Sequence, residues 1–225
     1  MSPELKLRIR RSRRRTVGLE VSDRGELVVR APEDLSRTSI EEVIRKHRQW
    51  IKKKLAEVEE RQKFHKPRKF EEGEVFLYLG REYPLRLAAP NRRFLAFDGN
   101  SFILSSAAGD MAKELFIRLY RQLARDYLST RLKQLAALNG FRFRKFRLSS
   151  ARTRWGSCSA RGTISLTWRL IMAPPEIIDY VIIHELAHTR EKNHSRAFWN
   201  LVAEQMPDYL RKRRWLKKYG FMLNI

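Results

Sequence analysis

The chain has 225 residues and a formal net charge of +23 at pH 7, with 48 lysines and arginines against 25 acidic residues. Its hydrophobic content of 43% is enough to form the core of one large domain or two small ones. The single cysteine, Cys158, excludes an intrachain disulfide framework. The N-terminus lacks the apolar run of a secretory signal, and no apolar stretch approaches the span of a bilayer. We therefore expect a cytoplasmic protein with no membrane partner.

The N-terminal part reads as strands around one helix. Apolar and charged residues alternate through residues 5–9, 17–21 and 27–29, which predicts three antiparallel strands. A capping box formed by Ser39 and Glu42, followed by apolar residues at helical spacing, predicts a helix over residues 36–60. Short strands are then expected at four places separated by turn residues, namely 74–79, 83–87, 93–97 and 101–104.

The C-terminal part is richer in helix. Leucines that share one face predict a long helix over residues 110–138, ending at Asn139-Gly140. We expect it to lie behind the helix that begins at Pro174-Pro175, where proline suits the first turn. Further expected elements are strands at 141–148 and 162–170 and helices at 197–205 and 208–219. The fold class is therefore α+β, with a strand-rich region at 1–105 and a second region at 106–225.

The most informative segment runs from His184 to His194. A helix that carries histidines at i and i+4 presents His184 and His188 on one face, where both can bind one divalent metal ion. Glu185 lies beside that pair and could take a proton from a metal-bound water, so it is the candidate general base. His194, six residues after His188, has the spacing of a third ligand. Three protein ligands leave a fourth position open, which is typical of a catalytic zinc site.

The chain must turn between the second and third histidines. Position 191 is Glu rather than the glycine that metzincins place there, so we expect Asn193 to make the reversal with a positive φ. His47 and His65 lie outside any such pattern and are interpreted as surface or core residues. Cys158 has three readings, as a fourth metal ligand, as a redox sensor or as a small buried hydrophobe, and we leave it outside the site.

Several segments of the C-terminal half carry a resemblance to a known family. They are Arg154-Trp155-Gly156-Ser157-Cys158, Trp168-Arg169-Leu170, Ala173-Pro174-Pro175, Tyr180, His184-Glu185-Leu186-Ala187-His188, Asn193-His194-Ser195 and Phe198-Trp199. Together they resemble the YgjP-like metallopeptidase family over nearly the whole chain. The resemblance implies a zincin-like core, related to SprT-like and WLM proteases, with the metal-binding helix behind an antiparallel edge strand. It also implies that His184, His188 and His194 bind zinc and that Glu185 is the catalytic acid or base.

Three functions remain open from the sequence. The first is a zinc-dependent peptidase that acts on a protein or peptide, and the strand at 162–170 could pair with an extended substrate. The second is a nucleotide phosphohydrolase that uses the same zinc, because arginines near the site could stabilise phosphoryl groups. The third is a nucleic-acid-binding module with a structural metal, which the net charge favours and the intact Glu185 disfavours.

Two further expectations concern groups around the metal. Tyr180, Arg154 and Arg169 are candidates to stabilise a developing oxyanion, although core packing for Tyr180 and surface placement for the arginines are alternatives. Trp155, Phe198 and Trp199 are interpreted as packing that supports the site.

The clusters of lysine and arginine make DNA or another polyanion a plausible partner, with a merely solvated basic surface as the alternative.

Overall fold

The computed structural model describes residues 6–22, 25–64, 68–90 and 94–225. Residues 5 and 93, with which two of the predicted strands begin, and His65 lie outside the described residues. The chain divides into two compact units, Met1–Pro67 and Arg68–Ile225, each with its own hydrophobic core. The division comes earlier than the boundary expected near residue 105, because Phe76 and Phe102 from the predicted strands pack on Phe116 of the second unit.

The first unit contains a three-stranded sheet and two helices. The strands are β1 (Leu7–Ser12), β2 (Gly18–Val21) and β3 (Leu27–Pro32), in the order β1-β3-β2. The expectation that all three are antiparallel was wrong, because β1 pairs with β3 in parallel and only β2 is antiparallel to it. β3 takes the centre since it is the most apolar strand, and Leu27, Val29 and Ala31 are fully buried.

The predicted helix of the first unit is two helices, α1 (Arg37–Lys46) and α2 (Arg48–Phe64), which are interrupted at His47. The predicted capping box is wrong. Ser36 is the N-cap, and its hydroxyl oxygen accepts a hydrogen bond of 3.1 Å from the backbone N–H of Ser39. Ser36 can cap because its own backbone is extended, as an N-cap requires, whereas Ser39 already lies in the first turn.

The second unit begins with a four-stranded sheet. It contains β4 (Val75–Tyr78), β5 (Arg81–Ala88), β6 (Leu95–Phe97) and β7 (Phe102–Ser105), in the order β4-β5-β7-β6. The four strands lie where the sequence predicted them. Their aromatic side chains pack on the long helix α3 (Ala112–Leu138), where Phe76 stacks on Phe116 with ring centroids 4.1 Å apart. A 3-10 helix, Ser106–Met111, precedes α3, which ends at Asn139 as predicted.

The rest of the second unit carries the site. A second sheet has the order β8-β10-β9, with β8 (Lys145–Ser149), β9 (Gly156–Cys158) and β10 (Thr163–Thr167). β9 lies in the stretch expected to be a loop. After a 3-10 helix, Trp168–Met172, come α4 (Pro175–Ala187), α5 (Arg196–Gln205), α6 (Tyr209–Tyr219) and a last 3-10 turn, Gly220–Met222. The α+β class is confirmed.

The position of β10 corrects one expectation. β10 is parallel to β8 and antiparallel to β9, so its backbone is paired on both sides and cannot pair with a substrate peptide as the sequence suggested. Among the described residues, no strand pairs with the far side of β9, which is therefore the edge of this sheet nearest α4. No described helix is long and apolar enough to cross a membrane.

Candidate metal centre

α4 is held by burial and by an ion pair. Pro174 caps the helix and Pro175 occupies its first turn, so the fixed φ of proline starts the helix at this point. Ile178 and Ile182 are fully buried. The Asp179 carboxylate accepts two hydrogen bonds of 2.7 Å from the Arg131 guanidinium of α3. The predicted contact between the long helix and the metal-binding helix is therefore present, and it fixes α4 from behind.

Three histidines converge at the end of α4. His184 lies in its last turn, His188 is its C-cap, and His194 comes from the segment that leads into α5. One ring nitrogen from each lies within 4.8 Å of the others, and the Nε2 atoms of His184 and His194 are 3.0 Å apart. Among the described residues these are the ones grouped closely enough to hold a metal ion.

The protonation of these rings suits a metal ion. Nδ1 of His188 lies 3.0 Å from the carbonyl oxygen of Glu191, which can only accept, so Nδ1 carries the proton and Nε2 keeps its lone pair. Burial, and then the neighbouring His188 and His194, lower the pKa of His184 to about 3. Neutral imidazoles whose nitrogens crowd together are the ligands that zinc takes in proteins. The residues therefore fit this metal.

The turn between His188 and His194 differs from the expectation. Within the described residues, only Phe70 and Leu79 among the non-glycine residues have positive φ, so Asn193 does not reverse the chain in that way. The reversal is made by ordinary turns in which the N–H groups of Arg190 and Glu191 both donate to Ala187. Side-chain bonds then tie the loop back to the helix end, because His188 binds the carbonyl of Glu191.

Aromatic side chains hold the three rings in place. Phe198 is fully buried and stacks on His188 with centroids 4.4 Å apart. Trp199 stacks on His194 at 5.6 Å. Both come from the first turn of α5, whose N-cap Ser195 follows the third histidine directly. Their expected role as support for the site is what the structure shows.

Glu185 lies against the backbone of β9. A Cβ atom added to Gly156 would come within 2.6 Å of the Glu185 carboxyl oxygen, so only glycine leaves room for this side chain. Glu185 is 5% exposed, and this burial raises its pKa to about 7, while Arg154 acts in the opposite direction. A bound cation would lower the pKa again. The carboxyl is thus fixed in position at a protonation state from which it can accept or return a proton.

A pocket of about 360 Å³ opens beside the histidines. Its polar lining consists of His184, the carboxyl of Glu185 and three cations, Arg154 before β9 and Arg213 and Lys217 on α6. The aromatic rings of Trp155 and Tyr180 also line it. Among the described residues, no carboxylate forms an ion pair with any of the three cations. The sequence reasoning missed Arg213 and Lys217. Their spacing of four residues on a predicted helix indicated that they share one face. It did not indicate which element that face would contact.

The residues predicted to stabilise an oxyanion differ in whether they line the pocket. Arg154 and Tyr180 line the pocket, and the Tyr180 ring lies 6.0 Å from that of His184. Arg169 does not, because its guanidinium donates to the carbonyl of Ser150 at 3.1 Å and stacks on Trp168. Burial raises the pKa of the Cys158 thiol, which lies outside the histidine group.

The three histidines and the buried carboxyl of Glu185 are residues of the kind that metal-dependent hydrolases use, and the comparisons with known proteins identify the family. The family model described as "YgjP-like, metallopeptidase domain" matches residues 15–219, so the chain belongs to the YgjP-like family. The family description names a metallopeptidase domain, and the three histidines could hold the metal ion that such a domain implies.

Two individual proteins are similar to parts of the chain. A UTP pyrophosphatase of Escherichia coli (strain K12) is 32% identical over 59 residues, which are 26% of this chain and 35% of that protein. The match therefore spans about a third of this relative's length. The crystal structure of the metallopeptidase zymogen of Pyrococcus abyssi abylysin has 24% identity and a TM-score of 0.37, and it covers 41% of this chain and 95% of that one.

Proposed function

We propose that this protein is a zinc hydrolase that cleaves a phosphoanhydride bond and that its substrate is a nucleoside triphosphate. The observation that carries the proposal is the cationic pocket beside the histidines. Arg154, Arg213 and Lys217 line it, and among the described residues none of them forms an ion pair with a carboxylate, although the Glu185 carboxyl lines the same pocket and interacts with Arg154. A zinc ion would add two further positive charges to the same space. Such a concentration of charge is costly unless an anion shares it, and a triphosphate brings several negative charges at once.

The position of Arg213 strengthens this argument. Its guanidinium stacks on Trp199 at 4.8 Å and contributes to the lowered pKa values of His184 and His194, after burial and the neighbouring histidines. An arginine so close to a metal site repels the metal unless a negatively charged ligand lies between them. Guanidinium also matches the geometry of phosphate oxygens, to which it can donate two parallel hydrogen bonds.

The comparison with the UTP pyrophosphatase supports the same substrate class. The similarity is confined to 59 residues. It does show that a sequence similar to part of this chain occurs in a protein named for hydrolysis of a nucleoside triphosphate.

In this proposal His184, His188 and His194 hold the zinc, and each has a defined part in the site. When bound, the zinc would polarise a phosphoryl oxygen and lower the pKa of the attacking water. Glu185 takes a proton from that water at its carboxylate oxygen as the water oxygen attacks phosphorus. The anhydride P–O bond then breaks, and Glu185 gives the proton to the oxygen of the leaving phosphate or pyrophosphate. Arg213, Lys217 and Arg154 neutralise the charge on the non-reacting oxygens.

A peptidase activity is the second candidate, and one observation favours it. β9 is the edge strand of its sheet beside α4, and an extended peptide could add to that edge through main-chain hydrogen bonds. The family description also names a metallopeptidase domain. β9 has only three residues, however, so it offers few backbone groups for binding a chain. In a peptidase Glu185 would have the same role, with the leaving amine as proton acceptor.

The two activities can be separated in one experiment. The zinc-loaded protein is incubated with the four common nucleoside triphosphates and, in parallel, with a mixture of unfolded proteins. A Glu185→Gln variant serves as the matched control, because it removes the charge with little change in shape. Nucleotide products are followed by anion-exchange chromatography and new peptide termini by mass spectrometry. Glu185-dependent release of phosphate or pyrophosphate supports the proposal. Glu185-dependent peptide cleavage without nucleotide turnover overturns it in favour of the second candidate.

A further inference from the structure

The sheet of the first unit has two chemically different faces. One face packs on α1 and α2, because Leu27, Val29 and Ala31 of β3 form a core with Ile40 and Ile51. Side chains alternate along a strand, so the residues between these three point to the opposite face. The register of β1 follows the same alternation, since Ile9 lies opposite Val29 and joins the core. Its neighbours Arg8 and Arg10 therefore lie on the outer face.

The outer face carries a cluster of arginines. Arg8 and Arg10 of β1 are exposed, and Arg10 lies directly opposite the exposed Arg30 of β3. On the other side of β3, Gly18 of β2 is the partner of Arg30. The missing side chain of Gly18 leaves a space that the Arg14 guanidinium fills, 3.1 Å from the position of a Cβ atom. We call Arg8, Arg10, Arg14 and Arg30 the arginine face.

Little negative charge balances this face. Among its described residues Glu20 is the single carboxylate, and it accepts a hydrogen bond of 2.8 Å from Arg30. Both side chains of that pair are about half exposed, at 52% and 55%, so water screens the pair and Arg30 remains available. The Arg14 Nε atom is buried and has no hydrogen-bond partner among the described residues. The face thus presents four guanidinium groups, two from β1, one from β3 and one from the connection between β1 and β2.

We propose that the arginine face binds a double-stranded nucleic acid through its phosphates, without reading its sequence. Each guanidinium group can donate two hydrogen bonds to one phosphate. Several such groups on adjacent strands can therefore bind successive phosphates of a nucleic-acid backbone. The described residues of the face include no aromatic side chain on which the bases of a single strand could stack. A membrane surface is disfavoured because the face offers no apolar group for insertion, and Val28 between Arg8 and Glu20 is only 8% exposed.

The test measures binding of the full-length protein to short fluorescein-labelled DNA and RNA duplexes of mixed sequence. Fluorescence anisotropy is recorded between about 50 and 200 mM salt, because phosphate contacts make the logarithm of the binding constant fall linearly with the logarithm of the salt concentration. The variant is Arg8→Gln/Arg10→Gln. Each lost phosphate contact should reduce the slope by about 0.9, so we expect a fall of about 1.8 and weaker binding at every salt concentration. Binding to one or both duplexes identifies the form preferred.

Two controls keep the result specific. Arg118→Gln/Arg125→Gln removes the same charge from exposed positions of α3, and it should leave affinity and slope unchanged. Arg213→Gln tests whether the cations of the metal pocket bind the duplex instead. The proposal is overturned if Arg8→Gln/Arg10→Gln binds as the wild type does, or if the loss occurs in Arg213→Gln alone. It is also overturned if neither duplex binds the wild-type protein, whether or not phosphatidylserine vesicles bind it.

Discussion

The two walls of the metal pocket are built in opposite ways. The α4 wall is part of the core, since Ile178 and Ile182 are fully buried and Glu185 is 5% exposed. The α6 wall presents Arg213 and Lys217 to solvent. In the proposed mechanism the metal ligand His184 and the base Glu185 thus stand on a rigid, largely buried helix, whereas the groups that would contact a charged substrate stand on the solvent side. Changes on the first wall should abolish the reaction, and changes on the second should alter substrate affinity.

The largest effect should come from removal of a proposed ligand. His194→Ala leaves two imidazoles, and zinc affinity should fall by more than about 100-fold, since even a supporting residue of a zinc ligand is worth about 10- to 100-fold. Activity should disappear with the metal. Because His194 is exposed, the fold should survive the change. Zinc content after dialysis against a weak chelator checks this, with His47→Ala as the control. Full retention of tightly bound zinc would remove His194 from the ligand set.

This part of the site was accessible from the sequence because it is local. The spacing of His184 and His188 on one helix decides which face they share, whatever the helix packs against. The positions of the long helix and of the four strands of the second unit were predictable for the same reason. The α+β class followed from these predicted helices and strands taken together.

The remainder depends on contacts between distant segments. Arg213 joins the pocket only because α6 packs beside α4, and no periodicity within residues 209–219 indicates that neighbour. β9 has three residues and begins with glycine, so its sequence alone indicates a loop. It is a strand because β10 pairs with it. The parallel pairing of β1 with β3 has the same origin, because alternation indicates a strand but not its partner.

The second largest effect tests the fixed position of the proposed base. Gly156→Ala would place a methyl group 2.6 Å from the Glu185 carboxyl oxygen, so the carboxyl must move. A displacement of about 1 Å at a reacting group can cost about 100-fold in rate, and we expect kcat to fall by about that factor. KM and zinc content should stay unchanged, which separates misplacement of Glu185 from damage to the metal site. Ser157→Ala, at the next position of β9, is the control.

If Gly156→Ala retained wild-type kcat, the Glu185 carboxyl would be able to function in a range of positions. The α4 wall would then not need to be more rigid than the α6 wall. A loss of zinc together with activity would instead mean that β9 supports the histidines. Circular dichroism of the variant distinguishes both results from unfolding.

A smaller effect is expected on the α6 wall. Arg213→Gln removes one of three pocket cations while the histidines and Glu185 remain, so KM for an anionic substrate should rise by about 10-fold, equivalent to about 1.4 kcal/mol. Arg214→Gln removes the same charge from the neighbouring position outside the pocket and should have no such effect. Steady-state kinetics at two salt concentrations provide the measurement. An unchanged KM in Arg213→Gln would count against the anionic substrate.

The smallest effect concerns the support behind α4. Asp179→Asn weakens the paired hydrogen bonds to Arg131 by removing their charge, which should cost about 1–2 kcal/mol of the free energy of unfolding. For a chain of this size the midpoint of thermal unfolding should fall by roughly 2–8 °C. Neither residue lines the pocket, so kcat and KM should not change. Glu204→Gln, an exposed acid on α5 that loses the same charge, should leave both stability and activity unaltered. If Asp179→Asn instead lowered kcat without lowering the unfolding midpoint, the α3 contact would be adjusting the position of the histidines, and the buried wall would be less rigid than its packing implies.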